Sequence, residues 1–180
     1  MKFLAFLILI FSAFTFILSG YNIYQVFTHP IKYENEIQTY AKMYDLNEAI
    51  VASLINVESS YKTAAKSNKN AVGLMQIKLT TANYLDEINK RENITESKLF
   101  DAEINIKYGC EYLRYLLNKF NDINTTLAAY NAGETRVKSW LNNTDFSTDK
   151  QTLKLIPYKE TDTYILKIKS NLKFYKKIYN

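Results

Sequence analysis

Glu58 is the residue whose type and setting best suit it to chemistry. Between Glu48 and Glu58 the apolar positions are Ile50, Val51, Leu54, Ile55 and Val57, a helical period. Glu58 stands four residues after Leu54 and seven after Val51, so helical geometry puts its carboxyl on the buried stripe at the last turn. Desolvation there disfavours the carboxylate and raises its pKa, and the negative end of the helix dipole acts in the same direction. A carboxyl held partly protonated near neutral pH is what a general acid requires. From this helix alone a second reading stands beside the first: Glu58 marks the helix end and its carboxyl reaches water. Other reactive groups are scarce. The single cysteine, Cys110, lies in an apolar helical pattern and reads as a small core residue, with no intrachain disulfide or cysteine zinc site to form. The single histidine, His29, sits beside Pro30 and reads as a linker residue. These counts exclude a Cys–His dyad in the folded body, and no metal or cofactor is expected.

The residues after Glu58 sharpen the reading. Glu58-Ser59-Ser60-Tyr61, then Ser67, then Ala71-Val72-Gly73-Leu74-Met75-Gln76-Ile77 with Thr81-Ala82, resembles the core signature of the soluble lytic transglycosylase family. Leu99-Phe100-Asp101 with Asn105, Tyr108-Gly109 and Tyr112-Leu113 is similar to the family's next helix. Leu127-Ala128-Ala129-Tyr130-Asn131-Ala132-Gly133 and Ile156-Pro157, Glu160-Thr161 and Tyr164 resemble its two later blocks. The blocks run in order from about Tyr40 to Ile168. The resemblance implies a mainly α, lysozyme-like domain with little or no strand and a sugar-binding cleft. It implies cleavage of the β-1,4 bond between N-acetylmuramic acid and N-acetylglucosamine in peptidoglycan, giving 1,6-anhydromuramoyl ends without water. By position Glu58 matches the catalytic acid/base, Ser67 and Gln76 match cleft residues near the saccharide, Tyr130 the cleft tyrosine, and Glu160 and Tyr164 residues bordering the site.

Structural roles are open to the same residues. Gly73 suits a tight turn, Met75 a core, Gln76 a loop cap, Tyr130 a core ring with its hydroxyl satisfied, Asn131 a helix end and Glu160 an N-terminal helix charge. Four positions depart from the family pattern. Asn70 stands for a usual Gly, and Asn tolerates a left-handed backbone. Lys78-Leu79 replaces a typical Met-Pro pair, which puts a charge at the cleft rim, and Ala102 replaces a frequent Pro.

An ordinary glycosidase needs two carboxylates flanking the bond, whereas this sequence offers one in a motif. A substrate N-acetyl group can supply the missing nucleophile, with Ser67 orienting it. There are two rivals: a goose-type muramidase with water as acceptor, and a non-catalytic wall-binding or assembly factor on the same fold. Opening the wall for secretion or conjugation machinery is also compatible with the resemblance.

The elements that must position these residues are helical. Four Gly and two Pro in 180 residues leave little punctuation for an all-β fold of many turns. Helices are expected at Glu36–Tyr44, from an N-cap at Asn47 or Asp45 through Glu58, at Thr80–Asn89, Asp101–Phe120, Thr125–Asn131, Glu134–Leu141 and Thr161–Ile178. Tyr61–Ala71 reads as a polar loop and Gly73–Ile77 as a tight apolar segment. Phe3–Leu18 is an uncharged run after Lys2, extended without charge to Phe27. The expected organisation is therefore a signal peptide or membrane anchor at 1–27, a linker at 28–36 and the catalytic domain at 37–180, exported to the periplasm and attached to the inner membrane. The net charge is +5, and residues 150–180 hold a local +6. That basic end suits a solvated helix face, a polyanionic wall or anionic lipid. No RNA-binding motif accompanies it, so nucleic acid is not an expected partner.

Overall fold

The computed structural model describes residues 9–17, 19–20, 24 and 28–179. The chain divides into two units, Met1–Ile31 and Lys32–Asn180. In the first, residues 9–17, 19–20, 24 and 28 are helical, and Leu9, Phe11, Phe14 and Phe16 are exposed. The rest of the expected leader lies outside the described residues. Among the described residues no helix is long and apolar enough to cross a membrane.

The second unit is mainly α. Helix α1 (Glu34–Met43) begins inside the segment expected as linker, after Tyr33 in a left-handed conformation. Helix α2 (Glu48–Ser59) starts where Asn47 Oδ1 accepts the Ile50 amide, so Asn47 is the cap and Asp45 is not. Two short antiparallel strands, β1 (Ala71–Val72) and β2 (Ile77–Lys78), pair Ala71 with Lys78 and Val72 with Ile77. The tight apolar segment is thus the loop of a hairpin, too short for a strand period to be visible in the sequence. Helix α3 (Leu79–Ile88) comes next, then a 3-10 segment (Glu96–Phe100) not anticipated in the sequence. Helix α4 (Ala102–Phe120) is capped by Asp101 and α5 (Ile123–Ala132) by Asp122, each accepting the backbone amide three residues on. Helix α6 (Glu134–Leu141) and α7 (Lys159–Tyr179) complete the unit. Helix α7 starts two residues earlier than expected, which brings Glu160 into its first turn.

Packing fixes the hairpin. Helix α2 packs chiefly on α7, and α4 contacts α1, α3 and α5. Leu74 and Met75, in the hairpin loop, are fully buried. Met75 lies on Gly109 of α4, where any Cβ would collide with its side chain. Gly73 is left-handed (φ +77°) and its Cα faces the Asn105 amide with no room for a Cβ. Asn105 is itself fully buried. Its Oδ1 accepts from Met75 N (2.7 Å), and its Nδ2 donates to Val72 O (2.9 Å) and Leu99 O (2.7 Å). One side chain thereby satisfies three backbone groups that would otherwise be buried unpaired. Behind α4, Arg91 bridges the buried Asp86 (3.0 Å) and Glu111 (2.9 Å), which ties the segment after α3 to the helix.

Asn105→Ala should therefore lower stability by about 3 kcal/mol, since each stranded buried partner costs about 1–3 kcal/mol and local rearrangement recovers part. The midpoint of urea unfolding measures it, and an unchanged midpoint would remove Asn105 as the clamp of the hairpin.

Candidate active site

Glu58 occupies the last turn of α2, as its spacing predicts. Immediately after it the chain reverses through Ser60 (φ +50°) and Tyr61 (φ +62°), two successive left-handed residues without a glycine. The Tyr61 ring holds this strained turn in place. It is buried, stacked on Tyr33 (6.5 Å between centroids) and tilted against Tyr175 (6.3 Å), with its hydroxyl donating to Ala52 O (3.3 Å). The reversal sends residues 62–70 back beside the end of α2. Ser59 Oγ donates to Leu74 O (2.8 Å) and so ties that end to the hairpin. In the loop, Ser67 Oγ accepts the Ala71 amide (3.1 Å), and Asn70 adopts φ +57°, the left-handed state its side chain tolerates.

Glu58 is half-buried, and its partner comes from α7: Tyr164 Oη donates to Glu58 Oε1 at 2.6 Å. Burial pushes the Glu58 carboxyl up to about 7, against the opposing pull of the Tyr164 hydrogen bond. Tyr164 itself is held far above the ordinary tyrosine range by burial and the adjacent carboxyl, so it remains a donor. With Oε1 committed to Tyr164, Oε2 is the oxygen left to carry a transferable proton.

The other expected residues gather around this carboxyl. A cavity of about 300 Å³ is lined by Glu58, Ser67, Lys69, Gln76, Tyr130, Asn131 and Glu160, among others. It shares Glu58, Asn131 and Glu160 with an open trough of about 480 Å³ bounded by Thr163, Tyr164 and Lys167. On the other side it shares Gln76, Tyr130 and Asn131 with a cavity of about 300 Å³ bounded by Lys78, Thr81, Tyr112, Gly133 and Arg136. The groove continues past Arg136 to Trp140 and Tyr158. All six expected site residues therefore meet in one cleft.

Several also carry structural bonds, in line with the structural roles open to them. Gln76 Nε2 donates to Gly73 O (3.0 Å) and Ala65 O (3.3 Å), and Tyr130 Oη donates to Met75 O (2.9 Å). Asn131 Oδ1 accepts from Thr161 Oγ1 (2.8 Å) and joins α5 to α7. Glu160 is exposed, with Lys69 Nζ at 3.6 Å, a weak and screened pairing. Lys69, Arg136, Trp140 and Tyr158 were not expected in the cleft from the sequence. Arg136 and Trp140 are four apart on α6 and share a face, which is the one signal that was available for them. The remaining reactive group, Cys110, is fully buried, and burial holds its thiol far above the ordinary range. Among the described residues no group of three His, Cys, Asp or Glu stands together as metal ligands would.

Comparison with known proteins agrees with this architecture. Residues 35–153 match the family model described as transglycosylase SLT domain. The chain belongs to the transglycosylase SLT domain family. It is 31% identical over 139 residues to the soluble lytic murein transglycosylase of Escherichia coli K12, an alignment covering 76% of this chain and 22% of that relative. It is 40% identical over 91 residues to membrane-bound lytic murein transglycosylase E of Buchnera aphidicola, covering 48% of this chain and 40% of the relative. The SLT fold is shared with an inactive glutamate-to-glutamine mutant of lytic transglycosylase Slt from Pseudomonas aeruginosa (TM-score 0.74, 25% identity, 85% of this chain and 25% of that one). It is shared equally with the 70 kDa soluble lytic transglycosylase in complex with bulgecin A (TM-score 0.73, 26% identity, 83% and 25%). The chain thus spans about a quarter of the length of these solved SLT proteins.

The raised Glu58 pKa makes a stability prediction with a definite sign. The unfolded carboxyl releases its proton near 4.5 and the folded one near 7. Between those values the unfolded state binds fewer protons, so stability falls as pH rises. At about 1.4 kcal/mol per pH unit the loss reaches on the order of 3 kcal/mol. Glu58→Gln removes this slope. Its melting temperature should gain on the wild type from pH 4.5 to 7 and hold a constant offset outside that window. A parallel pH dependence of the two proteins would show that the carboxyl titrates normally.

Proposed function

We propose that this domain is a peptidoglycan lytic transglycosylase in which Glu58 is the single acid/base. The observation that carries the reading is the Glu58 carboxyl itself: desolvated, aimed by Tyr164, and at the junction of the cleft's connected cavities. Among the described residues, the other acid lining the two cavities that Glu58 borders is Glu160, which is exposed and sits beside Lys69. The names of the relatives support the same class of reaction. Glu58 Oε2 protonates the leaving glycosidic oxygen as the bond from the muramoyl anomeric carbon breaks. The acetamido oxygen of the same sugar closes on that carbon, oriented by Ser67. The muramoyl 6-hydroxyl then displaces it, and its proton passes to the Glu58 carboxylate. The product is a 1,6-anhydromuramoyl end, and Glu58 is restored as the acid. Gln76, Tyr130 and Glu160 line the cleft in which the glycan strand lies. Water in place of the 6-hydroxyl would give a product heavier by one water, which distinguishes a muramidase.

Digestion of purified peptidoglycan with mass spectrometry of the products tests this. The wild type should release anhydro products. Glu58→Gln should reduce release by at least about 10⁴-fold, since one group serves both proton transfers, while still binding the wall. Substantial anhydro release by the variant would end the assignment of Glu58, and hydrated products from the wild type would establish hydrolysis.

We also propose that residues 1–27 act as a signal peptide or anchor, with 28–36 as linker and the catalytic domain beyond, so that the domain works in the periplasm at the inner membrane. The uncharged run after Lys2 and its exposed phenylalanines support this. On α7, Lys167, Lys169, Lys173, Lys176 and Lys177 are all exposed, as a surface-binding face requires. Protease added to the outer face of spheroplasts should degrade the domain in a membrane fraction, and a protected cytosolic protein would contradict the proposal.

A further inference from the structure

The arm of the cleft beyond Gln76 has a charge that a neutral sugar does not call for. Lys69, Lys78 and Arg136 line this cavity of about 300 Å³, and no acid does. Among the described residues Lys78 and Arg136 form no ion pair, and Lys69 has only the loose 3.6 Å contact with Glu160. The acid nearest Arg136 in the chain, Glu134, is already taken: Lys119 and Lys138 each approach it at 2.6 Å, and they hold its carboxyl down to about 2. Arg136 is also preset. Its guanidinium lies 5.3 Å over the Tyr158 ring, which in turn packs against Trp140 at 5.1 Å. Lys78 ends the hairpin whose position Asn105 fixes, so both cations stand on ordered elements at the wall of the groove.

Resting on the function proposed above, we propose that this arm is a carboxylate subsite. It takes a carboxylate carried on the muramoyl lactyl ether of the glycan strand and makes Lys78 and Arg136 specificity-determining residues. Two sources present that chemistry. One is the acid groups of the stem peptide; the other is the lactyl carboxylate left bare when the stem is removed. Charge-assisted hydrogen bonds from a preset guanidinium and an ammonium favour such a group over its amide.

The test uses the full chain and three strand preparations: stems with free carboxylates, the same stems amidated, and strands stripped of stems by an amidase. For the wild type, amidation should raise KM for anhydro release about tenfold with little change in kcat, and the difference should shrink at high salt. Lys78→Met combined with Arg136→Gln should bring that ratio close to one. Lys98→Met, which removes a positive charge at an exposed lysine of the 3-10 segment away from the cleft, should keep it. Tight use of stripped strands would assign the site to the lactyl carboxylate, and weak use would assign it to the stem. A wild-type ratio near one together with weak use of stripped strands, or a preference that survives in the double variant, would overturn the subsite. Strand affinity measured on Glu58→Gln repeats the comparison without turnover, so discriminating binding there with no cleavage by the wild type would fault the proposed reaction and leave the subsite standing.

Discussion

A carboxyl that is to donate a proton near neutral pH must be kept from water yet remain open to its substrate. Here that condition falls on Glu58, and the hydrogen bond from Tyr164 is the contact around which the site is built. Burial alone would raise the pKa without fixing the acid in space. Tyr164 concedes part of the rise, because a donor favours the carboxylate, and in return holds one oxygen at 2.6 Å. The balance leaves the acid at about 7 with its second oxygen available. The bond joins α2 to α7, the same pair of helices that packs most extensively, so the position of this carboxyl is set by a main core interface and not by a loop.

The opposite wall of the cleft is held differently. It is a two-residue-per-strand hairpin, far below the length at which a sheet is stable alone. Its position comes from side chains of the helices behind and beside it. Asn105 grips the backbone, Gly109 admits Met75, and Tyr130 donates to the Met75 carbonyl. Gln76 and Tyr130 therefore shape the cleft partly by holding it together. Changes at either should alter the shape of the groove as well as what touches the substrate.

Much of this was legible in the sequence, for identifiable reasons. The stripe Val51, Leu54, Glu58 gave the placement of the acid because helical period alone decides it, and Asn47, with Asp45 its rival, offered a cap for that helix. The blocks from Glu58 to Tyr164 put six residues in one cleft before any fold was known. Other features left no such trace, and each has a physical cause. Ser60 and Tyr61 turn left-handed without a glycine to mark them, because a buried aromatic ring enforces the turn. The Glu58–Tyr164 bond spans 106 residues, and no local pattern encodes which oxygen is met. The hairpin is too short for alternation to register, and the cationic arm arises only when β2 and α6 are brought to the same groove.

Everything proposed for the reaction depends on burial keeping the Glu58 carboxyl protonated into the neutral range. Its titration can be followed directly by carbon NMR of protein labelled at the glutamate side-chain carboxyls, with Glu58→Gln identifying the resonance. The expected midpoint for that signal is about 7. A midpoint near 4.5, the ordinary value, would contradict it and return Glu58 to the role of a solvated helix end.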